Sequence, residues 1–84
     1  MTEAVTTTNH KVIRKWVESR EGRPAVVGGG VLRIDFGDAE EGFRTVSWDE
    51  FFNIFEDRKL AFLHQDLLDN GQVSRFNKLI ERPN

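Results

Sequence analysis

The chain predicts an α+β domain in which two helices pack on one face of a mainly antiparallel sheet, in the order α-β-β-β-α-β-β. Three observations carry that expectation. Two segments, near residues 9–20 and 47–57, space their apolar side chains at three and four residues, as one face of a helix requires. Elsewhere apolar residues alternate at period two or run unbroken over strand lengths. Glycine, proline and an Asn-Gly pair separate these stretches where turns are needed.

Taken in order, residues 1–8 read as a disordered leader, because four threonines without apolar partners cannot offset the entropy of ordering. Residues 9–82 form the single α+β domain. The first helix is expected from about Asn9 to Arg20, with Val12, Ile13, Trp16 and Val17 as its apolar stripe and Lys11, Arg14, Lys15 and Glu18 on its solvated side. Gly22 is placed to close it in the left-handed conformation, and Pro24 forbids continuation. Ala25-Val26-Val27 and Val31-Leu32-Arg33-Ile34-Asp35-Phe36 then read as strands around the loop Gly28-Gly29-Gly30. Leu32, Ile34 and Phe36 point one way, Arg33 and Asp35 the other. A turn at 37–42 returns the chain as Phe43-Arg44-Thr45-Val46.

The second helix is specified most completely. Ser47 is an N-cap with Glu50 three residues on, a reciprocal capping box, and Val46 and Phe51 occupy the two positions of a hydrophobic staple. At 100° per residue Trp48, Phe51, Phe52, Ile54 and Phe55 fall in one arc, and Asp49, Glu50, Asn53, Glu56 and Asp57 fall opposite. Leu60-Ala61-Phe62-Leu63-His64 is almost wholly apolar and reads as a central strand covered on both faces. The Asp69-Asn70-Gly71 turn favours a hairpin with 73–80, although Val73, Phe76 and Ile80 also fit a helix face.

Composition narrows the function. Eighty-four residues make one domain, which buries roughly 60–65% of its unfolded surface. Seven Phe and two Trp are enough to fill such a core, and the lack of cysteine excludes disulfides and thiolate zinc sites. The N-terminus has neither the basic nor the apolar region of a signal peptide, and no apolar run approaches the ~20 residues of a membrane span, so a cytoplasmic protein without membrane contact is expected. Residues 1–32 carry five basic and three acidic groups, residues 33–58 three and eight, and residues 59–84 four and three, giving +2, −5 and +1. An acidic middle argues against broad phosphate-backbone binding.

No constellation specifies a reaction. The triple glycine lacks the Lys and Ser/Thr of a phosphate loop and precedes a strand. His10 and His64 share no local spacing for a metal, Ser47 is committed to capping, and Ser19 and Ser74 have no relay beside them. No catalytic, cofactor or metal residue is therefore assigned; a cleft gathering Asp35, His64 and Asp66 would be needed for an enzyme. Two surfaces remain. Asp49, Glu50, Asn53, Glu56 and Asp57 form a candidate protein-docking stripe, and Trp16, Arg33, Trp48 and Arg75 a candidate stacking surface for glycan or single-stranded nucleic acid.

The segments Ile13-Arg14-Lys15-Trp16, Gly22-Arg23-Pro24-Ala25, Leu32-Arg33-Ile34-Asp35-Phe36, Ser47-Trp48-Asp49-Glu50-Phe51-Phe52, Leu60-Ala61-Phe62-Leu63 and Ser74-Arg75-Phe76-Asn77-Lys78, in this order, resemble a family of small single-domain bacterial proteins of unknown function. Some members carry the automatic label of glucan branching enzyme. Such enzymes resemble barrel glycosidases, whose scaffold takes about 250 residues. The resemblance thus implies a fold and a bacterial origin and brings no catalytic residue with it. The expectation is a non-enzymatic, monomeric interaction or regulatory domain whose partner is another protein, with glycan or single-stranded nucleic acid as the alternative ligand.

Overall fold

The computed structural model describes residues 3–37 and 42–83. Its elements are β1 (Ala4–Thr7), α1 (His10–Glu18), β2 (Arg23–Val27), β3 (Val31–Asp35), β4 (Phe43–Thr45), α2 (Trp48–Asp57), β5 (Leu60–Gln65) and β6 (Asn77–Glu81). From α1 onward the order is the expected one, and the class is α+β. The strands divide, however, into two three-stranded antiparallel sheets, β1-β5-β6 and β3-β2-β4, where a single sheet was expected. β5 is paired on both edges, by β1 and β6, and none of these three strands pairs with β2, β3 or β4. Expected positions 38–41 of the turn at 37–42 lie outside the described residues.

β1 itself corrects the expectation of a disordered leader over residues 1–8, of which residues 1 and 2 lie outside the described residues. Ala4 to Thr7 pair with Gln65 to Phe62. Val5, Thr6 and Thr7 are β-branched and suit an extended edge. Their ordering is supported by backbone hydrogen bonds to a strand almost sixty residues away, as the register Val5↔His64 shows.

α1 starts one residue later than expected because Asn9 caps it, its side chain accepting from the N–H groups of Lys11 at 2.9 Å and Val12 at 3.2 Å. At the other end the left-handed residue is Glu21, with φ 59°, and not Gly22. Gly22 is instead a packing requirement. A Cβ there would lie 2.9 Å from Val17 Cγ1 and 3.0 Å from both Ile34 Cγ2 and Phe36 Cε1. Without one, the Gly22 N–H donates to the Val17 carbonyl at 2.9 Å and the chain turns tightly into β2.

α2 follows its sequence closely. The Ser47 hydroxyl accepts from the Glu50 N–H at 3.0 Å, while the Glu50 carboxylate accepts from Arg44 Nη2 at 3.2 Å instead of reaching back to the cap. Phe51 and Phe55 are fully buried and Trp48, Phe52 and Ile54 pack around them. With Ile13, Trp16 and Val17 of α1, Val26 of β2, Leu32 and Ile34 of β3, Val46, and Phe62 of β5, they form the core.

β5 is central, as expected, and the hairpin to β6 forms, but β6 begins at Asn77 instead of Val73. Residues 66–76 are taken up by a long excursion. Gly71, with φ 86°, turns the chain so that the Leu68 N–H donates to the Gln72 carbonyl at 2.7 Å, and Leu67 bridges Val73. Ser74, wholly buried, then donates from its hydroxyl to Gln65 Oε1 at 2.8 Å and accepts from the Phe76 N–H at 3.0 Å. The helical alternative for 73–80 is not adopted.

Truncating Phe55 to alanine should cost roughly 3–5 kcal/mol, enough to unfold much of so small a domain. Ser47→Ala should cost about 1 kcal/mol through loss of the cap. Urea melts of the two variants and the wild type check both values, and an unchanged midpoint for Phe55→Ala would contradict this core.

Candidate interaction surfaces

The acidic side of α2 is outward because its aromatic side is inward. Asp49, Asn53, Glu56 and Asp57 are exposed and Glu50 is half-buried. Asp49 and Glu50 lie in the first turn, where the helix dipole favours negative charge. The five are not equivalent. Glu50 is held by Arg44, and Glu56 Oε2 accepts from His10 Nε2 at 2.7 Å and from Arg82 Nη2 at 3.2 Å. Those two bonds hold the Glu56 carboxyl below the usual carboxylate range, the His10 bond contributing most. His10 also stacks on Phe52, with ring centroids 4.0 Å apart. Glu56 therefore fastens α1 and the end of β6 to α2. Asp49 and Asp57 form no ion pair with any described residue.

The four residues of the candidate stacking surface do not form one face, although Trp16 and Arg75 share Phe36 as a neighbour. Trp16 is only 6% exposed, donates from Nε1 to the Gln65 carbonyl at 3.3 Å, and lies against Phe36, Phe62 and His64. The Arg20 guanidinium covers it, 4.1 Å from the ring centroid. Trp48 is half-buried against Phe51 and Phe52. Arg75 lies over Phe36 at 5.4 Å, and Arg33 borders a separate depression with Asn77, Lys78 and Leu79. One of the two indoles is thus enclosed by its own chain.

Of the set an enzyme would need, His64 and Asp66 meet, with Nδ1 and Oδ1 3.5 Å apart, but Asp35 does not join them. Its carboxylate accepts from the Gly37 N–H at 2.7 Å and borders a different depression with Glu18, Glu21 and Arg23. His64 is 5% exposed and its Nδ1 is buried without a hydrogen-bond partner. Burial pushes the imidazole below its ordinary value near 6.5, Arg20 pushes the same way, and Asp66 opposes both. Beside it lies a depression of about 430 Å³, walled by Val12, Lys15 and Trp16 of α1 and its C-cap Ser19, and closed by Arg20, His64 and Asp66. Among the described residues, no group of three or more His, Cys, Asp or Glu side chains is placed to hold a metal ion, and no helix is long and apolar enough to cross a membrane.

Sequence reasoning passed over Arg20. Its Nε donates to the Ser74 carbonyl, Nη1 to the Trp16 carbonyl and the Ser19 hydroxyl at 3.0 Å each, and Nη2 to the Asp66 carbonyl at 3.0 Å. It joins the C-terminal end of α1 to the 66–76 excursion while roofing Trp16. The local signal was a cation just past a helix C-terminus, where the dipole favours it; its distant partners left none.

No protein-family model matches the chain, and neither a curated protein nor a solved structure does.

The lowered His64 value has a signed consequence. A neutral imidazole in the fold, against one that protonates ordinarily in the unfolded chain, contributes stability that is present above the ordinary histidine value and lost as pH falls through the folded one. Melting temperature should therefore drop on acidification from about pH 7 to about pH 5, before the carboxylates titrate, and the drop should be smaller in His64→Gln. An undiminished drop in that variant would assign the effect elsewhere.

Proposed function

We propose that this chain is a small non-enzymatic interaction or regulatory domain, acting as a cytoplasmic monomer, that docks a basic protein partner through the outer side of α2. One observation carries the reading. Asp49 and Asp57 stand exposed at the two ends of a helix fixed by Phe51 and Phe55, with Asn53 between them, and neither carboxylate is neutralised by a described residue. Charge held on a rigid helix meets a complementary surface with little ordering cost, which favours rapid and specific encounter. Glu50 and Glu56 are engaged within the chain and contribute background charge more than contact. Glycan or single-stranded nucleic acid is less well served, since an enclosed Trp16 offers no face for stacking.

The test is comparative. Immobilised wild-type protein should retain a stoichiometric basic partner from native lysate at low salt, and Asp49→Lys with Asp57→Lys should release it while keeping the wild-type circular dichroism and melting temperature. Equal retention by the folded double variant would remove this surface from the function.

A further inference from the structure

The acidic helix is not the only surface with unmet chemistry. β1 is the outer strand of its sheet, and no described residue pairs with its other edge. Its residues Ala4–Thr7 carry no charge and no proline, the usual devices that keep a sheet edge from taking another strand. Val5 is paired with His64, so the two side chains project on the same side of the sheet, the side on which His64 meets Trp16 of α1. Val5, on the open strand β1, therefore lies on the same side of the sheet as the depression beside His64. Val5 and Val12 are 50% and 43% exposed.

Charge selects the occupant. Lys11 and Lys15 lie one helical turn apart on α1, both exposed, and neither forms an ion pair with a described residue; Arg14, between them, is occupied by Glu18 at 3.2 Å. Lys15 borders the depression. Arg20 is bound to carbonyl oxygens, and Asp66, 73% exposed on its side chain, keeps its charge beside a neutral His64 at the Arg20 end of the depression. The uncommitted charge along α1 is thus positive.

We propose that β1 and the adjoining flank of α1 bind an extended peptide segment of a partner protein, which adds as a strand to the free edge of β1. An apolar side chain of the segment packs on the exposed Val5 and Val12, toward the depression that Val12 and Lys15 border, and a carboxylate two residues away, on the same side of the added strand, meets Lys15 or Lys11. Backbone hydrogen bonds supply affinity and the alternate side chains supply selection. The proposal rests on the interaction-domain reading but uses another surface and the opposite charge, so each can fail alone.

The probe is a heptapeptide with valine and glutamate two positions apart among threonines, blocked at both ends and titrated into ¹⁵N-labelled protein. Shifts should concentrate at Val5, Thr6, Val12, Lys15 and the Trp16 indole, and amide exchange in β1 should slow. Lys11→Glu with Lys15→Glu should weaken binding about tenfold, as should lysine in place of glutamate in the peptide. Asp49→Lys with Asp57→Lys should leave it unchanged, which separates this site from α2. The proposal is overturned if folded wild-type protein shows no shifts at about 1 mM peptide. It is equally overturned if the shifts map to β4, β6 or α2, if the lysine peptide binds equally well, or if sedimentation shows that β1 is occupied by a second copy of the chain.

Discussion

No strand is common to the two sheets, so they are joined by side-chain packing, and that packing centres on Phe51, Phe55 and Phe62. Phe51 and Phe55 come from α2 and Phe62 from β5, so α2 touches both halves of the molecule, meeting β2 and β3 on one side and β5 on the other. A sheet of three short strands is marginal alone and needs an apolar face covered. The rings of α2 supply that cover to both at once. Their rotation about the helix axis is consequently fixed, and with it the direction in which Asp49, Asn53 and Asp57 point. The outward acidic side follows from the buried aromatic one.

Two polar ties then set the periphery. Glu56 gathers His10 and Arg82, fixing the start of α1 and the end of β6 to α2. Arg20 gathers the carbonyls of Trp16, Asp66 and Ser74, fixing the end of α1 to the excursion between β5 and β6. Each uses one charged group to satisfy several partners, and bonds to charged groups are worth more than neutral ones. Because Glu56 is exposed, its bonds to His10 and Arg82 are screened by solvent and orient more than they stabilise. α1 is thus held at both ends, which fixes which of its flanks lies beside His64 of β5.

What was legible in the sequence was local. Ser47 announced a helix start, the arc through Trp48, Phe51, Phe52, Ile54 and Phe55 announced a buried face, and Asn70-Gly71 announced a hairpin, because each is decided within a turn or two of chain. What was not legible depended on distant partners. Nothing within residues 4–7 reveals that β5 has an edge for them, and without β1 the division into two sheets cannot be inferred. Gly22 marks the turn in the sequence, but its left-handed role falls to Glu21 and its own role is to leave room. Left-handed geometry is a local property, whereas the space occupied by Val17, Ile34 and Phe36 belongs to the assembled core. The candidate surfaces divided similarly. The acidic side of α2 follows from helical period alone, but only assembly shows Glu50 and Glu56 to be engaged and Trp16 to be roofed by Arg20.

The open edge of β1 has the same origin. Ile13, Trp16 and Val17 must face the core, so Val12, Lys15 and Ser19 are left on the flank beside the sheet, whatever their own chemistry. β1 is held in place by its pairing with β5, and the Asn9 N–H donates to the Thr7 hydroxyl at 3.1 Å in the short connection to α1. Edges left without charge, proline or cover risk pairing with any available strand. A short strand limits that risk. Burying the α1 stripe therefore leaves Val12 and Lys15 at the surface while β1 keeps an unpaired edge, and an apolar contact, a cation and free backbone groups are the elements that recognition of an extended acidic segment would use.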